Sequence, residues 1–171
     1  MGGRLDQRAL CKGLRAPSYN RLLPLAILFL SLSGCKTPKL LCFSSSGLQR
    51  LTITSTAGTN HGRPIAVDLV YVTDRKILAA IEKLKARDYF AVRTQLQRDY
   101  PKGLAIRGWE LQAGQQVLAD TVGAPCNLAG TFLFADFAGE PAEDNRLRLR
   151  KVKRGTLALG EAGFSWTPDK G

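Results

Sequence analysis

The sequence predicts a mainly β protein, a β-sandwich interrupted by a short helical insertion. Short segments rich in β-branched and apolar residues recur from Leu48 onward, and several of them alternate apolar and polar positions. Turn-forming Gly, Pro, Asn and Asp residues separate these segments. One segment, residues 74–101, instead repeats its apolar residues at helical spacing. About seven short strands with turn signals between them are typical of a β-sandwich.

The first part of the chain predicts an export signal. A basic front, residues 1–21, precedes an apolar run from Leu22 to Gly34, and the chain then turns polar. A membrane-spanning helix needs about 20 apolar residues, so this run is too short. A basic front followed by a short apolar run is typical of a secretory signal peptide. We therefore predict a signal peptide over 1–34, a tether over 35–47 and a folded domain over 48–171.

The end of the apolar run is more specific than its composition. Leu32-Ser33-Gly34-Cys35 resembles the lipobox of bacterial lipoproteins. The resemblance implies cleavage after Gly34 and acylation of Cys35, and two or more acyl chains give stable anchoring. Lys36, rather than Asp, follows the cysteine, which by the sorting pattern of such lipoproteins implies the outer membrane, with the domain on its periplasmic face. An ordinary signal peptide with an incidental cysteine is the alternative.

The charge of the chain favours an anionic partner. The whole chain carries a net charge of +11, and removal of five basic residues and one acidic residue with the signal peptide leaves about +7. A basic surface suits an acidic protein face or phospholipid headgroups. Export argues against nucleic acid as the partner.

Two cysteines remain in the mature chain beside the one in the lipobox, namely Cys42 and Cys126. An even pair in an oxidising compartment fits a disulfide. Two free thiols fit the sequence as well, because spacing alone does not reveal whether the two sulfur atoms can meet.

The first elements of the domain are two strands joined by a loop. Leu48 to Thr56 is rich in β-branched residues and predicts the first strand. Ala57 to Pro64 contains Gly, Asn and Pro and predicts a loop. The second strand, Ile65 to Val72, places Asp68 on one face and apolar residues on the other. The apolar residues, which we expect to be buried, are Ile65, Val67, Leu69 and Tyr71.

The helical insertion follows the second strand. Asp74 is a candidate N-cap, and the apolar residues from Ile77 to Leu84 recur at helical spacing. A second short helix covers Tyr89 to Leu96 and ends before Pro101, because a residue that precedes proline disfavours helical backbone.

The chain then returns to strands. We predict strands over 104–112 and 115–122, joined by a tight turn at Ala113-Gly114. The apolar face changes within the first of these strands, which indicates a bulge at Gly108.

The last part of the domain contains a central strand and a basic strand. Residues 129–139 are apolar on both faces and predict a strand in the middle of a sheet. Residues 146–154 alternate until Val152, where the pattern slips and indicates a kink or strand end. Residues 156–166 predict a final strand or hairpin.

The sequence offers little for catalysis or metal binding. His61 is the only histidine, so any Ser-His-Asp or Cys-His set would have to use it, and no serine lies in a nucleophile-elbow pattern. No metal-ligand spacing joins His61 to the cysteines, and no phosphate-binding or dinucleotide fingerprint occurs. We therefore predict a protein that is not an enzyme and needs no metal or other cofactor.

Basic residues cluster in the strand that begins at residue 146. Alternation predicts one exposed face that carries Arg146, Arg148, Arg150 and Lys153. Such a face can simply be solvated and discourage edge-to-edge pairing of sheets. It can also hold the protein against an anionic surface, where each cation contributes about 1 kcal/mol. A periplasmic lipoprotein that binds an anionic ligand or envelope surface through these residues is the alternative function.

The loop and the second strand carry a resemblance to a known family. The segment Asn60–Pro64, "NHGRP", leads into "IAVDLVYV", with a lipobox and a first strand before it and a helical insertion after it. This arrangement resembles TssJ, the outer-membrane lipoprotein of type VI secretion systems. The resemblance extends from Leu48 to about Phe137.

The resemblance implies a transthyretin-like β-sandwich that is anchored under the outer membrane. In this family, the loop between the first two strands contacts the periplasmic domain of a large inner-membrane partner, TssM, and no catalysis is involved. The resemblance therefore implies that this chain docks a TssM-like domain in a trans-envelope secretion complex. The implied contact residues are Asn60, His61, Gly62, Arg63 and Pro64.

Overall fold

The computed structural model describes four stretches of the chain, residues 48–120, 124–125, 127–139 and 144–169. The predicted signal peptide, the tether with Cys35 and Cys42, and Cys126 lie outside the described residues. Lipidation and the disulfide therefore stay predictions. No helix in the described part of the chain combines the length and the apolar character needed to cross a membrane.

The described residues form eight strands and two α-helices. The strands are β1 (Arg50–Ser55), β2 (Ile65–Val72), β3 (Leu104–Leu111), β4 (Gln116–Asp120), β5 (Gly130–Asp136), β6 (Arg146–Leu149), β7 (Arg154–Leu159) and β8 (Phe164–Pro168). The helices are α1 (Arg75–Lys83) and α2 (Ala86–Asp99), and a tight turn, Thr59–Gly62, lies between β1 and β2. The final predicted segment is a hairpin, β7–β8.

The strands form two four-stranded sheets. The order is β4-β1-β7-β8 in the first sheet and β3-β2-β5-β6 in the second. Strands β1 and β7 pair in parallel, and the other neighbours pair antiparallel. Residues from both sheets share one hydrophobic core, which is the arrangement of a sandwich. The predicted fold class, a mainly β sandwich with a helical insertion, is confirmed.

Alternation along the strands explains the core between the sheets. Every second side chain of a strand points to the same face. The predicted apolar face of β2 is buried in this core, and full burial of each such side chain contributes about 1.5–3 kcal/mol. The buried residues that oppose it from the first sheet are Leu51, Ile53, Leu157 and Leu159.

The two helices cover the other face of the second sheet. The sequence predicted one buried face for β2, but both of its faces are buried because α1 and α2 fold over the outer one. Tyr89 of α2 stacks on Phe134 of β5 with 4.1 Å between ring centroids. The other buried residues of this cluster include Val70, Val72, Ile77, Ile81 and Phe132.

The start of the helical insertion agrees with the sequence. The Asp74 side chain accepts a hydrogen bond from the backbone N–H of Lys76 at 2.8 Å, so the predicted N-cap is confirmed. Ile77 and Ile81 of α1 are buried one turn apart, as their spacing predicts.

Gly108 does not form the predicted bulge. Strands β2 and β3 pair residue by residue, from Val72 with Leu104 to Ile65 with Leu111. Gly108 lies opposite Asp68, and a Cβ atom at position 108 would come within 2.6 Å of Asp68 Oδ1. The glycine is therefore explained by the space that the Asp68 side chain occupies, and not by an extra residue in the strand.

Candidate partner-binding site

One end of the sandwich gathers three connections into a continuous surface. The loop end, as we call it, consists of the β1–β2 loop (56–64), the β3–β4 turn (112–115) and the β7–β8 turn (160–163). The N–H of Gly114 donates to the carbonyl of Thr56 at 3.0 Å, and the N–H of Asn60 donates to the carbonyl of Gly160 at 3.1 Å. The β1–β2 loop is therefore hydrogen-bonded to both neighbouring turns.

Thr59 ties the β1–β2 loop to the body of the domain. Its side chain is fully buried, and Oγ1 accepts from the N–H of Thr56 and donates to the carbonyl of Leu159, both at 2.8 Å. A buried hydroxyl that uses both its donor and its acceptor costs little to bury. These two bonds fix the point at which the loop leaves β1.

Asn60 shapes the loop from inside. The residue is 2% exposed; its Nδ2 donates to the carbonyl of Pro64, and its Oδ1 accepts from the N–H of Ala138, both at 2.7 Å. The sequence placed Asn60 among the residues that contact a partner. Because the amide is buried and bonded within the domain, its role in the structure is to position the residues beside it.

The backbone of this loop is left-handed at three successive residues. Asn60, His61 and Gly62 all have positive φ angles, of 50°, 55° and 75°. A left-handed conformation costs about 1–2 kcal/mol for an ordinary residue and little for glycine. The hydrogen bonds of Asn60, together with the bond from the N–H of Arg63 to its carbonyl at 3.1 Å, hold this shape. The loop is therefore built in one conformation before any partner binds.

The structure exposes the remaining four predicted contact residues together. His61, Gly62, Arg63 and Pro64 are all exposed. The side chain of His61 is 52% exposed, and its Nδ1 lies 3.1 Å from Oε1 of Glu161 in the β7–β8 turn. An exposed pair of this kind contributes little to stability, so these side chains remain available to a partner.

The predicted basic face is divided in the structure. Arg146 donates to the backbone carbonyls of Glu82 and Leu84, and Arg148 forms an ion pair with the Glu82 carboxylate. Arg148 also lies over the ring of Phe132, 5.8 Å from its centroid. These two arginines are partly buried and hold α1 to β6, because the helical insertion covers the strand face that alternation alone predicts to be exposed.

The other basic residues lie at the opposite end of the sandwich. The cationic end, as we call it, consists of Arg150, Lys151, Lys153 and Arg154, which are all exposed in the β6–β7 connection and at the start of β7. The carbonyl of Lys153 accepts from the N–H groups of Gln49 and Arg50, at 2.7 and 3.1 Å. The cationic end is therefore adjacent to the point where the chain enters β1.

A buried polar cluster beneath α2 was not predicted. Asp68 is 1% exposed; its Oδ2 accepts from the Tyr89 hydroxyl at 2.7 Å and lies 2.7 Å from Nε of Arg93. Burial raises the pKa of Asp68, and the Tyr89 hydrogen bond and the Arg93 charge oppose this effect in part. Burial, followed by the charge of Asp68, raises the pKa of Tyr89. The sequence feature that could have predicted this cluster is an acidic residue, Asp68, inside the otherwise apolar run "IAVDLVYV".

This cluster is a structural feature and is closed to substrates. The Tyr89 ring is fully buried against Phe134, and Arg93 covers the carboxylate from the solvent side. Within the described stretches of the chain, no group of three or more His, Cys, Asp or Glu side chains is placed to hold a metal ion. The cluster therefore secures α2 to the second sheet.

Known proteins share the fold of this chain. The sequence matches no protein-family model, and it matches no curated protein. The type VI secretion lipoprotein TssJ1 from Pseudomonas aeruginosa is similar in structure, with 14% identity and a TM-score of 0.53 over 73% of this chain and 99% of that chain.

Two further structures agree with this comparison. Lip from Serratia marcescens, a membrane-bound component of the type VI secretion system, has 10% identity and a TM-score of 0.51 over 72% of this chain and 98% of that chain. A chain from the structure of the TssM C-terminal domain from EAEC has 15% identity and a TM-score of 0.53 over 71% of this chain and 98% of that chain. The predicted resemblance to the TssJ lipoproteins is therefore confirmed at the level of the fold.

Proposed function

We propose that this protein is an outer-membrane-anchored lipoprotein that docks the periplasmic domain of an inner-membrane partner in a type VI-like secretion complex. The observation that carries the proposal is the fold match, which spans 98–99% of the TssJ1 and Lip chains. The lipobox at Leu32–Cys35 is an independent sequence feature that agrees with it.

The β1–β2 loop is the surface that we propose for docking. His61 and Arg63 project from a loop whose shape is set by buried hydrogen bonds, so little conformational entropy is lost when a partner binds. An exposed guanidinium and an exposed imidazole suit a partner surface that offers carboxylates or backbone carbonyls.

The proposed role is mechanical and involves no chemical step. Acyl chains on Cys35 would resist removal from the bilayer, since each buried CH₂ contributes about 0.8 kcal/mol. The folded domain would then transmit force between the anchor and the docked partner. The strand next to the tether, β1, is one of the two central strands of the first sheet and pairs in parallel with the other, β7.

The docking proposal is tested by a double substitution, His61→Ala with Arg63→Ala. The full chain is co-expressed with the periplasmic domain of a TssM-like protein from the same genome, and capture is measured from solubilised envelopes. We expect capture to fall at least about tenfold, because loss of central polar contacts typically costs more than 1 kcal/mol. The matched control is Arg98→Ala, which removes an exposed arginine from α2. Undiminished capture by the double variant would remove the loop from the interface.

Anchoring is tested separately, by metabolic labelling with a clickable fatty acid. We expect label on the wild-type chain in the outer-membrane fraction and no label on a Cys35→Ser variant. A wild-type chain that carries no label would contradict the anchoring part of the proposal.

A further inference from the structure

We propose that the cationic end binds the anionic phospholipid surface in which the chain is anchored, so that the loop end points away from the membrane toward its partner. This inference rests on the proposed anchoring at Cys35. It adds an orientation that neither the sequence nor the fold comparison supplies.

The cationic end presents a dense positive charge. Four of the five residues from 150 to 154 are basic, and all four are exposed. Val152, the fifth, is partly buried against the core, and Lys151 has a positive φ of 51°. Val152 therefore fixes the connection to the domain while the backbone turn directs the flanking side chains outward. No described residue forms an ion pair with any of the four.

The cationic end lies where the tether joins the domain. Leu48 is buried, and the next two backbone N–H groups donate to the carbonyl of Lys153. Twelve residues lie between Cys35 and Leu48, and the thirteen steps from one to the other span at most about 45 Å when the chain is fully extended. Because the tether joins the domain at this end, the cationic end is the part of the sandwich whose distance from the acylated cysteine the tether limits most directly.

The same end carries further basic residues. The end of β2 pairs with the start of β3, and the segments that flank this pair carry Arg75, Lys76 and Lys102, all exposed. Two acids lie at the same end: Asp74, which caps α1, and Asp169, whose N–H donates to the carbonyl of Arg154 at 3.1 Å. The seven basic residues named at this end outnumber these two acids, and their spread over the ends of both sheets suits a broad anionic surface better than a single small anion.

Two grooves flank Lys151 and give lipid phosphates a place to enter. The basic residues that line one groove, of about 300 Å³, are Arg148, Arg150 and Lys151. Those that line the other, of about 550 Å³, are Lys151, Lys153 and Arg154, and one acid, Asp169, lines it as well. Guanidinium groups bind phosphate oxygens in a bidentate manner, and a lysine ammonium binds them as a point charge.

The first experiment measures lysine acetylation on the full lipoprotein in vesicles. Wild-type protein is reconstituted into vesicles of phosphatidylglycerol with phosphatidylcholine, or of phosphatidylcholine alone, and treated with a water-soluble acetylating reagent. We expect acetylation of Lys151 and Lys153 to be at least about threefold slower in the anionic vesicles, and this protection to disappear at high salt. Lys83, at the far end of α1, is the internal control. Equal rates in both vesicles would overturn the proposal.

The second experiment removes the acyl anchor and reverses two charges. The full chain with Cys35→Ser is compared, in flotation with phosphatidylglycerol vesicles, with the same chain carrying Lys151→Glu and Lys153→Glu. We expect partitioning to fall about tenfold or more, since each cation near such a surface contributes substantially. A charge-matched control, Lys83→Glu with Arg107→Glu, reverses two exposed cations away from the cationic end and should float like the parent. All these chains share one N-terminus, so its affinity for lipid cancels from the comparison.

The outcomes separate this inference from the proposed function. Equal flotation of the parent and the Lys151/Lys153 variant counts against the cationic end alone, because that assay needs no acyl chain. Absence of acylation on the wild type counts against the proposed anchoring alone. Normal flotation with loss of partner capture in the Lys151/Lys153 variant would assign the cationic end to a protein partner and overturn the lipid proposal. Unchanged thermal unfolding verifies that each variant is folded.

Discussion

Two regions of this molecule each bury a polar side chain, and the buried side chain has a different structural role in each. In the β1–β2 loop, the neutral amide of Asn60 bonds to two backbone groups and holds strained backbone at the surface. Beneath α2, the carboxyl of Asp68 meets the hydroxyl of Tyr89 and the guanidinium of Arg93. The first arrangement shapes a loop, and the second fixes one layer of the fold to another.

The difference between the two regions shows that a buried neutral group and a buried ionisable group respond differently to pH. An amide with both of its polar atoms bonded is satisfied at every pH, so the two hydrogen bonds of Asn60 do not depend on protonation. A buried carboxyl titrates, and the balance between burial and its partners changes with pH. A binding surface benefits from hydrogen bonds that do not change with pH. A packing contact between layers of the fold can tolerate a group that titrates.

The largest expected effect comes from the ring that covers Asp68. Tyr89→Ala removes a fully buried side chain that stacks on Phe134, and it also leaves the carboxyl with one partner fewer. We expect the free energy of unfolding to fall by about 4 kcal/mol, as for other large aromatic deletions in cores. Urea unfolding of the full chain, with its slope compared with that of the wild type, measures this loss.

A companion variant separates packing from hydrogen bonding at the same position. Tyr89→Phe keeps the ring and removes only the hydroxyl that donates to Asp68. We expect a loss of about 1–2 kcal/mol, because one hydrogen bond to a carboxyl is lost while Arg93 remains close to it. Equal losses for the two variants would show that the hydroxyl, and not the ring, secures α2.

A smaller effect is expected in the loop. Asn60→Ala removes both amide hydrogen bonds and places an alanine at a φ of 50°. We expect the free energy of unfolding to fall by about 2–3 kcal/mol. Partner capture should fall as well, although residue 60 is buried, because His61 and Arg63 lose their fixed positions.

Asn60→Gly is the matched control for this loop prediction. It lacks the amide but accepts the positive φ without strain, so its loss of stability should be about 1 kcal/mol smaller than that of Asn60→Ala. Equal losses would mean that the amide bonds account for the whole effect. Full partner capture by both variants would contradict the positioning role of Asn60.

The periodicity of apolar residues predicted which residues form strands and helices and which of their faces are apolar. It did not predict which other elements pack on those faces. The alternation in β2 and the helical spacing after Asp74 depend on local geometry, and both agree with the structure. The second face of β2 is buried only because α1 and α2 return over it. Arg146 and Arg148 follow the alternation of an exposed strand face, yet the end of α1 covers them.

The roles of single polar residues were the hardest to predict. Asp68 meets a hydroxyl 21 residues further along the chain, and Gly108 faces it from a third element. Gly108 suggested a bulge because the sequence shows only that this position has no side chain. It does not show that the Asp68 side chain occupies the space where a Cβ atom would lie. Asn60 stands in a Gly- and Pro-containing loop that indicates exposure, whereas its amide turns inward to bond with Pro64 and Ala138.

The smallest expected effect is a pH dependence of the free energy of unfolding, which should differ between variants at Asp68 and at Asn60. The folded-state pKa of Asp68 is raised above its ordinary value of 3.8, so the folded state holds this proton more tightly than the unfolded chain does. The resulting stabilisation is fully present below that ordinary value and is lost as pH rises through the folded-state pKa. The loss of stability in Asp68→Asn, relative to wild type, should therefore be larger at pH 4 than at pH 7.

The loss in Asn60→Gly should be the same at both pH values, because the amide does not titrate. Urea unfolding at the two pH values measures both differences. A larger loss for Asp68→Asn at pH 7 would show that Arg93 and Tyr89 outweigh burial, and that the carboxyl is held in its charged form beneath α2.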